Sequence, residues 1–107
     1  MILKYQTKQH PIESAFVKVK GNNSQLHIVD HFRMSEGGPG WTLKPLTEIK
    51  PSSFGRMRQL EREYGHGDYG DLEKKIPNAN DPLFKYVKRH LLPKVSRTLV
   101  RVYQLHD

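Results

Sequence analysis

From Ala15 to Phe32 the chain alternates around a turn, and few arrangements other than a β-hairpin satisfy that pattern. Ala15, Val17 and Val19 fall on one side and Phe16, Lys18 and Lys20 on the other, a period of two. Gly21-Asn22-Asn23-Ser24 then supplies turn chemistry, because Gly and Asn tolerate positive φ. Gln25 to Phe32 resumes the extended pattern, with Leu26, Ile28 and Asp30 facing opposite to His27, Val29 and His31.

Further elements follow from the same logic. Residues 1–6 predict a short strand with Met1, Leu3 and Tyr5 on one face. Glu36-Gly37-Gly38-Pro39-Gly40 breaks the chain before a strand at Trp41-Thr42-Leu43-Lys44, which Pro45 confines to an edge or ends, since it lacks a ladder donor. Pro51-Ser52-Ser53 predicts a helix entry with a serine cap. Phe54, Met57, Leu60 and Tyr64 then recur at helical spacing before Gly65, giving a helix over 53–64.

Residues 65–80, rich in Gly, Pro and Asn, read as a long surface loop. Asn80 or Asp81 before Pro82 starts a second helix, 82–92, with Phe84, Val87, Leu91 and Val95 as its buried stripe. Pro93 ends or kinks it, and Thr98–Leu105 reads as a final β-branched and aromatic strand. The order predicts one α+β domain over 1–107. Its mostly antiparallel sheet has about four to five strands, and the C-terminal strand returns to it.

Composition narrows the function classes. Hydrophobic residues are 36% of the chain, but ten aromatics spread from Tyr5 to Tyr103 argue for a folded core. With no cysteine, disulfides, thiolate zinc sites and cysteine nucleophiles are excluded, and a cytoplasmic setting is expected. Met1–Gln6 lacks the apolar run of a signal peptide, and no segment has the apolar length to span a membrane, so no membrane role is expected.

The net charge of +7 is segregated. Residues 1–20 carry Lys4, Lys8, Lys18 and Lys20 against Glu13. Residues 81–107 carry Lys85, Lys88, Arg89, Lys94, Arg97 and Arg101 against Asp81 and Asp107, and the middle of the chain sums to zero. Segregated charge builds a one-sided field that attracts a polyanion. Lys85, Lys88 and Arg89 fall opposite the apolar stripe of the second helix. Pairing of the last strand with the first would bring both basic ends together.

The charge therefore predicts nucleic-acid binding in a regulatory or accessory role. RNA or single-stranded DNA is preferred, since no helix-turn-helix, zipper or finger pattern is present. Phosphate contacts would come from the six C-terminal cations with Lys4, Lys8 and Lys18, and stacking from Tyr86, Tyr103 and Trp41. For Trp41 a plain core role outweighs stacking.

Other readings carry less. His27 and His31 would share an ion on a helix but stand about 13 Å apart on a strand, so neither metal nor cofactor is expected. Asp30 with Glu48-Ile49-Lys50 resembles the pattern of the PD-(D/E)XK nucleases over at most a third of the chain. That resemblance implies carboxylates on Mg²⁺ and a lysine that positions water. With eleven acids and eleven lysines, about one acid-x-Lys triplet arises by chance. A metal-independent ribonuclease would draw on histidines, His31 with Arg33 first. Asp68 and Asp71 in the long loop could compete with a polyanion for the basic ends. A third class is an interaction or inhibitor module docking on an acidic protein partner. No constellation is specific enough to make the chain an enzyme.

Overall fold

A computed structural model describes residues 1–7, 13–22, 25–37, 40–64, 73–92 and 99–105. Six strands form one antiparallel sheet: β1 (Ile2–Thr7), β2 (Glu13–Lys20), β3 (His27–Gly37), β4 (Gly40–Pro45), β5 (Glu73–Ile76) and β6 (Leu99–Leu105). Their spatial order is β4-β3-β2-β1-β6-β5. Helix α1 (Ser53–Tyr64) follows β4, and α2 (Pro82–His90) lies between β5 and β6. The α+β class, both helices and the returning terminal strand agree with the sequence reading.

Strand alternation sorts the core into two layers. Ile2, Phe16, Phe32, Met34, Leu43 and Leu105 face one side, where they pack against Met57, Leu60 and Tyr64 of α1. Leu3, Tyr5, Ala15, Val17, Val19, Ile76 and Val102 face the other, against Leu83 and Val87 of α2. The sheet thus carries one helix on each face. In α1 the buried positions are Ser53, Met57, Leu60 and Tyr64, whose spacing of four, three and four keeps them in one stripe. Phe54, expected in that stripe, falls about 100° from Ser53 and is 48% exposed.

The β2–β3 hairpin forms as expected, with Gly21 at φ +113° in its turn, but a register shift at Lys18/Val19 sets Ile28 against Val19 and Asp30 against Lys18, so Ile28 and Asp30 do not share the face that plain alternation gave them. Pro45 ends β4, which is an edge strand, and the outward-facing Leu43 N–H donates to Glu61 Oε1 of α1 at 2.9 Å. The segment read as a 65–80 loop contains β5, which pairs with β6 from Glu73↔Leu105 to Ile76↔Val102. Ile76 of this strand is buried, while Lys74 and Lys75 are exposed, so it carries little periodic signal. The rest of the loop through residue 72, including Asp68 and Asp71, lies outside the described residues, as does Val95.

Two glycines give opposite expectations. A Cβ at Gly55 in α1 would meet nothing within 4 Å, so Gly55→Ala should stabilise the fold by roughly 0.5–1 kcal/mol through helix propensity. At Gly21 a Cβ would run into the Gln25 carbonyl at positive φ, so Gly21→Ala should cost about 1–3 kcal/mol. Denaturant midpoints of the two variants measure both, and equal shifts would contradict this account of the turn.

Candidate nucleic-acid interface

Helix α2 is placed by its first residue and its apolar face. Asp81 is the N-cap, its Oδ1 accepting from Leu83 N–H at 2.9 Å, and Pro82 occupies the first turn with the φ that proline already has. Leu83 and Val87 seat the helix on the sheet, with Phe84, Tyr86 and Leu91 partly buried around them. Lys85, Lys88, Arg89 and His90 are left exposed.

One flank of α2 faces the connection between β2 and β3 across a concave pocket of about 310 Å³. Leu26, Asn80, Pro82, Lys85, Tyr86, Arg89 and His90 line it. Two i,i+4 pairs build its helical wall: Lys85 with Arg89, and Tyr86 with His90. The Tyr86 and His90 rings are 4.8 Å apart at their centroids and tilted by 42°. Burial pushes the Tyr86 phenol above its ordinary range, so at neutral pH it keeps its proton and can donate. Among the described residues neither Lys85 nor Arg89 enters an ion pair. Lys88, Arg89 and His90 in the last turn complement the negative end of the helix dipole, but Lys85 stands before that turn and gains little from it.

The other predicted contacts are dispersed. β1 and β6 pair from Ile2↔Leu105 onward, so the two ends do meet. Their strand cations share one side of the sheet, and the α2 cations lie on the other. Val102 faces α2, so Arg101 next to it projects on the α1 side, as do Lys4 and Lys18 beside Ile2 and Phe16. Lys4 is fully buried, its Nζ 5.1 Å from the centroid of the Tyr103 ring; a phosphate cannot reach it, and Tyr103 is half-buried beneath it. Lys18 is half-buried and Arg101 exposed. Lys88 is exposed on α2 but does not line the pocket. Lys8, Lys94, Arg97 and the Trp41 side chain lie outside the described residues.

The hydrolytic candidates do not converge. Asp30 is buried on β3, where its Oδ1 accepts from Ser53 Oγ–H at 2.8 Å, an anchor between the sheet and the start of α1. Glu48 and Lys50 are exposed in the segment after β4, so the second strand that the nuclease pattern requires ends at Pro45. His27 and His31 share β3, and among the described residues no three ligating side chains cluster. His31 Nε2 forms a buried 2.6 Å hydrogen bond with Tyr5 Oη, and burial lowers its pKa from 6.5 to about 4. Arg33 is exposed one rung along.

Sequence reading found Lys85, Arg89 and Tyr86 but missed Leu26, Asn80, Pro82 and His90. His90 carried a usable signal, standing four residues after Tyr86. Asn80 stands just before the helix cap, whereas Leu26 enters only through tertiary folding. Comparison of the chain with protein-family models, with curated proteins and with solved structures finds no match.

Removing Ser53 Oγ should expose how much the Asp30 anchor contributes. Ser53→Ala leaves a buried carboxylate short of a donor and is expected to cost about 1–3 kcal/mol, with coupling to Asp30→Asn in a double-mutant cycle. Additive effects would contradict the anchor. For His31 the folded pKa lies below the unfolded one, so its contribution is complete above pH 6.5 and is lost as pH falls towards 4. The stability difference between the wild type and His31→Gln should therefore shrink over that interval, and a flat difference would contradict the burial of a neutral imidazole.

Proposed function

We propose that the protein binds single-stranded nucleic acid, RNA or single-stranded DNA, through the α2 pocket, as a binding rather than a cleaving protein. The observation that carries this reading is the pocket itself. It gathers two cations one helical turn apart, two rings one turn apart and an aliphatic wall into one concavity. Lys85 and Arg89 are placed to neutralise phosphates, releasing counterions, while Tyr86 and His90 offer faces for a base. A pocket of about 310 Å³ suits an unstacked base, which a single strand presents and an intact duplex does not.

Support for binding over cleavage comes from the fate of the acids. The buried Asp30 is committed to Ser53, and Glu48 projects from a different segment into solvent. An accessory role, in which occupancy of a strand is itself the effect, fits that division.

Fluorescence anisotropy with labelled oligouridylate and oligothymidylate over a salt series tests the reading. Lys85→Ala and Arg89→Ala should each weaken binding to every sequence and lower the salt slope by about 1. Tyr86→Phe should keep affinity, whereas Tyr86→Leu should lose about 1–3 kcal/mol of stacking. Binding by the Lys85/Arg89 double variant equal to wild type at all salt concentrations would refute the assignment. Equal competition by polyglutamate would favour an acidic protein partner instead.

A further inference from the structure

The pleat of the sheet gathers a second set of basic and aromatic side chains on the face that α2 does not occupy. Tyr103 of β6 packs against the α1 layer, so its register partners share that side: Lys4 on β1 and Lys75 on β5. Arg101, two residues before Tyr103 on the same strand, projects the same way. Helix α1 packs chiefly on β4, whereas β6 and β5 stand at the other end of the sheet. The Lys4 ammonium is buried, 5.1 Å from the centroid of the Tyr103 ring, so it holds the ring from within. Tyr103 is half-buried, and Lys75 and Arg101 are exposed.

Neither exposed cation is used by the fold. Among the described residues Lys75 and Arg101 enter no ion pair. Across the ladder Arg101 stands opposite the neutral Gln6, and Lys75 opposite Tyr103. By contrast Lys18, also on this side, has the acid Asp30 as its register partner. Glu73, the acid of β5, holds the position two residues before Lys75 and further from Arg101. Lys75 and Arg101 are diagonal neighbours, about 7–8 Å apart at their backbones, and Tyr103 adjoins both. The chemistry of the α2 pocket is thus repeated: two cations within reach of successive phosphates, with an aromatic ring beside them.

We infer that Lys75, Arg101 and Tyr103 form a second single-strand contact, so that one chain holds two strands at once and bridges them. This rests on the pocket reading and adds valency to it. The pocket lies on the flank of α2 turned to the β2–β3 connection, and the second contact lies on the reverse of the sheet at its β5 end. A strand of a few nucleotides cannot reach around the sheet to both, so filling one contact leaves the other open to a second strand. Two strands held on one chain meet at a raised effective concentration, which is the physical basis of an annealing or cross-linking role.

Titration with an oligouridylate of about six nucleotides counts the contacts. Wild type should bind two strands per chain and bring donor- and acceptor-labelled strands together, read as energy transfer that falls when protein is in excess. Lys75→Ala/Arg101→Ala should bind one strand with the pocket's affinity unchanged and lose the transfer. Amide shifts at Lys75, Arg101 and Tyr103 in wild-type protein should saturate apart from those at Lys85 and Arg89, a readout independent of any variant. One strand per chain in wild type, kept by Lys75→Ala/Arg101→Ala and lost by Lys85→Ala/Arg89→Ala, overturns the second contact while the pocket stands. One strand per chain with the opposite response removes the pocket reading and the bridging with it. No binding by wild type removes both contacts.

Discussion

Burial of β1 and β2 on both faces is the constraint from which most of this molecule follows. With a helix on either side, the middle of these central strands is closed to solvent, and Gln6, Lys18 and Lys20 reach it only towards the strand ends. Leu3 and Tyr5 enter one layer and Ile2 the other, and Val17 and Val19 lie back to back with Phe16. The Phe16 and Tyr64 rings, 5.5 Å apart, tie strand to helix in the α1 layer. Lys4 is a buried charge that the layer accommodates, its ammonium set against the Tyr103 ring. Exposed cations stand instead on the outer surface of α2, at the end of β2 and on β3, β4, β5 and β6.

Legibility tracked how local each signal was. The hairpin and the second helix announce themselves within a dozen residues, through alternation, a turn and an Asp-Pro cap. Pro45 revealed an edge because a missing donor has the same consequence in any context. β5 was missed because Glu73-Lys74-Lys75-Ile76 is short and offers a single apolar residue; its strand identity comes from β6 beside it. Phe54 was assigned to the core on hydrophobicity. The Asp30 carboxylate sets the helix phase instead, by holding Ser53 against the sheet.

The site was legible only in part for the same reason. Lys85, Tyr86 and Arg89 belong to one helix and could be read together, whereas Leu26 is remote in the chain and joins them only by folding. Segregation of charge along the chain turned out to differ from segregation in space. Alternation sends Arg101, Lys4 and Lys18 to the α1 side, while α2 carries its cations on the opposite side. Topology and strand pleat united the cations of the terminal strands, and the seating of α2 on the other face divided the remaining charge from them.

The bond from Leu43 N–H to Glu61 has a bearing on assembly between molecules. An edge strand is an invitation to another chain, because its outward amides and carbonyls await partners. Here the invitation is blunted on β4: Pro45 has no amide to offer, and the Leu43 amide already holds a carboxylate oxygen. A foreign strand would have to evict that charge-assisted bond before it could extend the ladder. Helix α1 thus closes part of the β4 edge to ladder growth.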